Sequence, residues 1–172
     1  MDKNIQSILD HFHFEKLPVE GTFFKQTYKS SLTLEKNTPL STAMIGMYCN
    51  SPSSFSYFHR LTQDEVWHFY FGDPLVLHLF YPDGKTEEII MGHDFEKGQA
   101  IQYTVPAGVW QAGATIEHGV FSVFGCTLSP GFTSSCFLAA SRNDLIKQFP
   151  HKEKIIQQFT NDGDELTLPN GY

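Results

Sequence analysis

Apolar and polar residues along this chain follow two periods, helical at both ends and strand-like between them. Near the N-terminus Ile5, Ile8, Leu9 and Phe12 recur three and four apart behind Asp2, a good N-cap. That spacing predicts one amphipathic helix lying across the outside of the main body. Leu17 to Gly21, with Pro18 inside it, ends that helix. Phe23, Phe24, Thr27 and Tyr28 then predict a strand over 22–30 with Lys25 and Lys29 facing water, and a polar connection over 32–39 leads into an apolar strand over 42–49. After a loop over 50–54 comes an aromatic run, Phe55 to Gly72, closed by Asp73 and Pro74. Strands over 75–81 and 86–91 flank the turn Pro82 to Gly84, a hairpin pattern.

Ile101, Tyr103 and Val105 alternate with Gln102 and Thr104, and Pro106 to Gly108 turns the chain toward Trp110 and Gln111. Apolar runs over 120–128 and 132–140 add two further strands. Helical spacing then returns with Leu145, Ile146 and Phe149, then Ile155, Ile156 and Phe159; Ser141 and Asp144 resemble a capping box, and Pro150 divides two short helices. Short strands separated by regular turn signals mark a sandwich or closed barrel, not a parallel sheet.

Composition narrows this to one all-β domain. A length of 172 residues suits a single core, and an aromatic content of 15 %, with 16 Phe, suits pleated surfaces and apolar pockets. The whole span 1–172 reads as one unit, with a barrel core at about 17–140, a helical extension over 141–161 and a polar tail over 162–172. A net charge of −7, with arginine only at Arg60 and Arg142, argues against a nucleic-acid partner. An anionic small ligand would have to lean on Arg60, Lys25 or Lys29. Cys49, Cys126 and Cys136 are odd in number and form no C-x-x-C, so three buried thiols in a reducing compartment are expected. No apolar run has the length of a membrane span and the N-terminus lacks signal-peptide order, so the expectation is a cytoplasmic protein without a membrane partner.

The candidate chemistry gathers in Phe55 to Gly72, where His59, Arg60, Asp64, Glu65 and His68 stand among seven aromatic residues. Polar groups in so apolar a setting suggest one half of a ligand pocket inside a barrel, with Val105 to Gln111 as the other half. His59 beside Glu65 suits a general base oriented by a carboxylate, or else a structural pair that tethers the 50–54 loop. His68 lies an odd number of positions from Glu65 and points to the opposite face of a regular strand, as a core or dimer-interface histidine. Tyr57, Tyr70 or Tyr103 could supply an acid, and strand parity favours Tyr103. Arg60 suits a phosphate or carboxylate. Trp67, Phe69 and Trp110 are either core or stacking walls, and Trp110 is the best wall because it follows a turn at a barrel mouth. Cys126 reads as an inert buried thiol.

In order and spacing, Phe58 to Leu61, Asp64 to Tyr70, Gly72 to Leu75, Pro82 to Gly84, Pro106 to Gln111, Gly125 to Thr127 and Ser129 to Phe132 resemble cupin-superfamily proteins of the DUF985 (cupin-5) family, over roughly residues 17–140. The resemblance implies a cupin jelly-roll β-barrel with an N-terminal helix and short C-terminal helices, commonly a homodimer, and a likeness to dTDP-sugar epimerases and plant storage cupins. Where the family tends toward His-Pro-Glu-Gly-Gly, this chain has Leu17 to Gly21, without the His and with the carboxylate moved to Glu20. The general cupin motifs fall with Tyr57 and His59 at the histidine pair, Glu65 at the acid and Gln111 where a final His would stand. The implied ligands for a divalent metal are therefore His59, Glu65 and Gln111. The function implied is a cupin that binds a small polar molecule, a sugar or nucleotide-sugar, in the manner of a metal-independent epimerase or isomerase. In that reading His59, Glu65 and Tyr103 are catalytic, and Tyr57, Arg60, Trp67, Phe69, Trp110 and Gln111 bind the ligand. A binding or sensing cupin without turnover and a metal-dependent cupin enzyme are the alternatives.

Overall fold

The structure is a computed structural model that describes residues 3–161 and 166–169. Helix α1 (Lys3–Phe12) leads into β1 (Glu15–Lys16), β2 (Phe23–Lys29), β3 (Thr42–Cys49), β4 (Ser56–Leu61), β5 (Glu65–Gly72), β6 (Leu75–Phe80), β7 (Thr86–Met91), β8 (Gln102–Val105), β9 (Trp110–Thr115), β10 (Phe121–Leu128) and β11 (Phe137–Ala139). Helices α2 (Arg142–Gln148) and α3 (Glu153–Gln158) follow, separated at Pro150 as the sequence predicts. The capping role of Asp2 and the solvated run 162–165 lie outside the described residues. Within the tail, Leu166 accepts a hydrogen bond from Ala139 N at 2.8 Å and Leu168 is buried.

The strands form two antiparallel sheets, ordered β1-β2-β3-β10-β5-β8 and β11-β4-β9-β6-β7. Their inner faces share one core, in which Tyr48, Trp67, Phe69 and Phe124 from the first sheet meet Leu75, Leu77 and Leu79 from the second. Side chains of this size contribute about 1.5–3 kcal/mol each when fully buried, which holds the sheets face to face. The closed barrel of the sequence expectation is not formed: among the described residues each named strand is hydrogen-bonded within its own sheet, giving a two-layer sandwich. Both outer faces carry helices where they are apolar. Ile5, with Ile8 and Leu9, lies on Met47, Cys49 and Val123; Leu145, Phe149, Ile156 and Phe159 lie on Phe58, Phe80 and Trp110.

The aromatic run is divided between the layers. β4 belongs to the five-stranded sheet and β5 to the six-stranded one, so Thr62 to Asp64 carry the chain across the gap. That crossing is fastened to the second predicted half-site. Asp64 Oδ1 accepts from Ala107 N at 2.8 Å, and Gly108 N donates to Leu61 O at 2.8 Å. In register, His59 stands opposite Gln111 in one sheet and Glu65 opposite Val105 in the other.

Candidate functional site

Between the sheets, at the end where β2, β3, β4 and the segment before β11 meet, lies a cavity of about 610 Å³, a size that encloses a whole small ligand. Its inner polar groups are His59, Glu65 and Glu20, only 4, 6 and 8 % exposed. Phe24, Met44, Leu61, Leu128, Phe132 and Phe137 supply an apolar girdle, and Lys29 and the Glu15–Lys25 ion pair stand at the more open rim.

His59 reaches the cavity through a bulge. The β4–β9 register shifts between Ser56 and His59, so both are buried while Phe58 between them faces the C-terminal helices. The His59 ring stacks on Phe137 at 5.2 Å and 20°, and Nδ1 lies 2.8 Å from the Tyr57 carbonyl. A carbonyl only accepts, so Nδ1 carries the proton and the lone pair of the neutral ring belongs to Nε2.

Glu65 comes from the facing sheet. Its Oε2 accepts from Gln111 Nε2 at 2.7 Å and from Trp67 Nε1 at 3.1 Å, and Trp67 Nε1 also donates to Gln111 Oε1 at 3.1 Å. Burial holds the Glu65 carboxyl above the usual carboxylate range; His59 and the Gln111 amide pull it back, and the neighbouring Glu20 pushes it up. Behind it, burial and these same carboxylates raise the Cys126 thiol well above its ordinary range, so this cavity-lining sulfur is held as a thiol.

Glu20, the displaced carboxylate of the family stretch, is the functional candidate left out of the sequence-predicted site residues. Glu20 N donates to Pro18 O at 2.7 Å across Val19, whose φ is 66°, a left-handed conformation that a β-branched residue rarely adopts. The turn drives the carboxylate inward, where Oε1 accepts from Thr22 and, at 3.0 Å, from Ser56; Ser56 in turn meets the Tyr48 hydroxyl. Tyr57 N donates to Glu20 O at 2.9 Å and fixes the turn from outside. The available signal was a carboxylate inside a proline–glycine turn, followed by Thr22.

Of the other site residues, Gln111 and Trp67 lie behind Glu65, bonded to it and not among the cavity-lining residues. Phe69 belongs to the central core beside His93. Tyr103 bonds Glu87 and Tyr81, each at 3.4 Å, away from the cavity lining. Tyr57 packs edge-on against Phe55 next to Gly21. Trp110 is turned to the outer face by strand alternation, under the C-terminal helices, with Arg60 4.6 Å above its ring. A divalent metal fits this donor set poorly: the Gln111 amide is engaged through both its nitrogen and its oxygen, and among the described residues no three His, Cys, Asp or Glu side chains lie within reach of one ion. His68 points away from Glu65, as parity requires, with Nδ1 3.2 Å from the Gln102 amide and Nε2 3.3 Å from Thr127. Among the described residues no helix is long and apolar enough to cross a membrane.

Comparison with known proteins agrees with this architecture. The crystal structure of a protein from Shewanella oneidensis superimposes with a TM-score of 0.84 and 28 % identity, covering 92 % of this chain and 98 % of its own. A hypothetical protein from Leishmania major gives 0.81 and 23 %, covering 91 % and 98 %. An uncharacterised protein of Saccharomyces cerevisiae is 24 % identical over 153 residues, which is 80 % of this chain and 76 % of that one. The family model "Cupin superfamily (DUF985)" matches residues 6–140, which includes every strand from β1 to β11 and all three inner polar residues; the chain belongs to the DUF985 family of the cupin superfamily.

Proposed function

We propose that the protein binds a small polar molecule in the cavity between its sheets and moves a proton on it without a metal, as an isomerase or epimerase does. One observation carries this reading. A histidine whose Nδ1 is fixed on a carbonyl, and whose basic Nε2 therefore remains for a guest, shares a sizeable cavity with a carboxyl whose proton affinity is raised by burial. His59 is the base that takes a proton from carbon beside a carbonyl, and Glu65 is the acid that supports the developing enol oxygen. Tyr103, which parity favoured as the acid, bonds Glu87 and Tyr81 away from the cavity lining, so in this reading the acid is Glu65. A sugar or nucleotide-sugar remains the substrate class to try first.

The test is a thermal-shift screen of sugar phosphates and nucleotide-sugars, followed by solvent-deuterium incorporation into any compound that raises the melting temperature. Exchange in the wild type that disappears in His59→Ala supports the proposal. Binding without exchange replaces it by a sensing or storage cupin, a reading favoured by the double hydrogen bonding of Glu65 Oε2, which also suits a structural network.

A further inference from the structure

We infer that the guest of this cavity is an organic anion, a carboxylate or phosphate monoester, that carries an apolar body and a hydroxyl or amino donor at the end remote from its charge. This rests on the cavity being the binding site and adds the orientation and class of the molecule that enters it.

Burial separates the interior of the lining from its rim: Glu20, His59, Glu65, Leu61, Leu128 and Phe137 are buried, whereas Glu15 and Lys29 are exposed. The floor is acidic, since Glu20 and Glu65 are both nearly inaccessible to water. Among the described residues both side-chain donors to Glu20, Thr22 and Ser56, use Oε1, which leaves Oε2 for a guest. An anion pushed down to Glu20 would be repelled and stripped of water, and the free Oε2 accepts, so this part of the floor selects hydrogen-bond donors. Around it, the girdle of Phe24, Met44, Leu61, Leu128, Phe132 and Phe137, in which Leu61, Leu128 and Phe137 are as buried as the carboxylates, favours an aromatic or aliphatic segment.

The rim has the opposite sign. Lys29 stands in register with Thr42, whose side chain faces the cavity and holds Phe132 N at 2.8 Å. Lys25 is already matched with Glu15 at 3.8 Å, but among the described residues Lys29 has no ion-pair partner. In a chain with net charge −7 and only 12 basic residues, an unmatched cation at the mouth of the cavity steers anions there against the overall field. The guest therefore sits charge outward and donor inward.

The experiment is calorimetric titration of the full chain at low ionic strength with 4-hydroxycinnamate, 8-hydroxyoctanoate and 4-hydroxyphenyl phosphate, each beside a neutral amide or alcohol analogue and an analogue lacking the hydroxyl. At least one anion should bind about threefold to tenfold more tightly than its neutral analogue, the advantage vanishing in Lys29→Gln and shrinking with salt. Loss of the hydroxyl should weaken binding by about tenfold. Lys25→Gln should have the smaller effect, and Lys29→Gln, being on the surface, should keep the wild-type melting temperature. Neutral analogues that bind as well as the anions, in wild type and variant alike, would overturn the inference while leaving the cavity reading intact provided Leu61→Trp, which fills the girdle, abolishes binding. Binding of none of the compounds, or binding unaffected by Leu61→Trp, would overturn the inference, and in the second case the cavity reading with it.

Discussion

Replacing Gln111 with methionine isolates the network behind Glu65. The two side chains are close in length and volume, so the packing is kept while both hydrogen bonds of the amide are removed. Trp67 retains Glu65 as its acceptor at 3.1 Å, so the loss is chiefly the 2.7 Å bond from Gln111 Nε2 to the Glu65 carboxylate. A hydrogen bond to a charged group contributes about 1.5–3 kcal/mol, and each kcal/mol moves the midpoint by about 2–4 °C in a domain of this length, so Tm should fall by about 3–12 °C at a pH high enough to ionise Glu65. The pH dependence is the sharper test. Burial raises the Glu65 carboxyl in the folded protein, and the Gln111 bond is one of the interactions that lower it again. A group whose folded pKa exceeds its unfolded value contributes stability that is full below the unfolded pKa and is lost as pH rises through the folded pKa. Without Gln111 the folded pKa climbs further, so the variant loses more. Its deficit against wild type should be small at low pH, where Glu65 is protonated in both proteins, and grow to a plateau above the variant's own Glu65 pKa. Urea unfolding from pH 4 to pH 8 measures this directly; a deficit that is flat with pH, or absent, would refute the assignment of Gln111 as donor to an ionised Glu65.

Arg60→Ala should lower stability by no more than about 1 kcal/mol, the worth of an exposed cation over an indole, and should leave ligand affinity unchanged because Arg60 and Trp110 lie on the outer face; lost binding would place the ligand there instead. Native protein at pH 8 should resist iodoacetamide at all three cysteines, since burial pushes Cys49 up to about 11 and raises Cys126 and Cys136, whereas unfolded chain should take three labels by mass spectrometry; labelling of native Cys126 would contradict its thiol state. Gly113→Ala places a methyl 2.7 Å from the Tyr48 hydroxyl and 3.0 Å from Leu77 Cδ2 in a closed core, so a destabilisation of about 1–3 kcal/mol is expected, and an unaltered urea midpoint would show that the sheets are less tightly packed there.

What the sequence discloses about the fold is whatever is enforced locally. The β6–β7 hairpin is legible because Pro82 to Gly84 form a tight turn between two β-rich runs, and β3 is legible at both its ends because its apolar run is bounded by polar residues. Parity over a regular strand also works, as Glu65 inside and His68 outside demonstrate. Assignment of strands to layers does not follow from such signals. Thr62 to Asp64 contain neither glycine nor proline, so nothing in composition announces that the aromatic run changes sheet there. The bulge that turns Ser56 and His59 to the same side is silent in the sequence for the same reason, being enforced by the partner strand and not by the residues themselves. Trp110 was expected at a ligand mouth because it follows a turn, yet alternation from inward-facing Gln111 sends it outward.

The site itself is still less local, because its parts are mutually enforcing. His59 and Glu65 are close in sequence yet reach the same cavity from opposed sheets, across the gap that Asp64 and Leu61 pin to the Pro106 turn. Glu20 arrives on a backbone that a valine alone would avoid, at a cost of about 1–3 kcal/mol for such a conformation. The conformation persists because Thr22, Ser56 and the Tyr57 amide all bond the residue it delivers, and Ser56 can do so only because the β4 bulge has turned it inward. The strained turn, the bulge and the crossing therefore stand or fall together. Each is uninformative when read alone, and their common product is a pair of carboxylates and one imidazole on the floor of a single cavity.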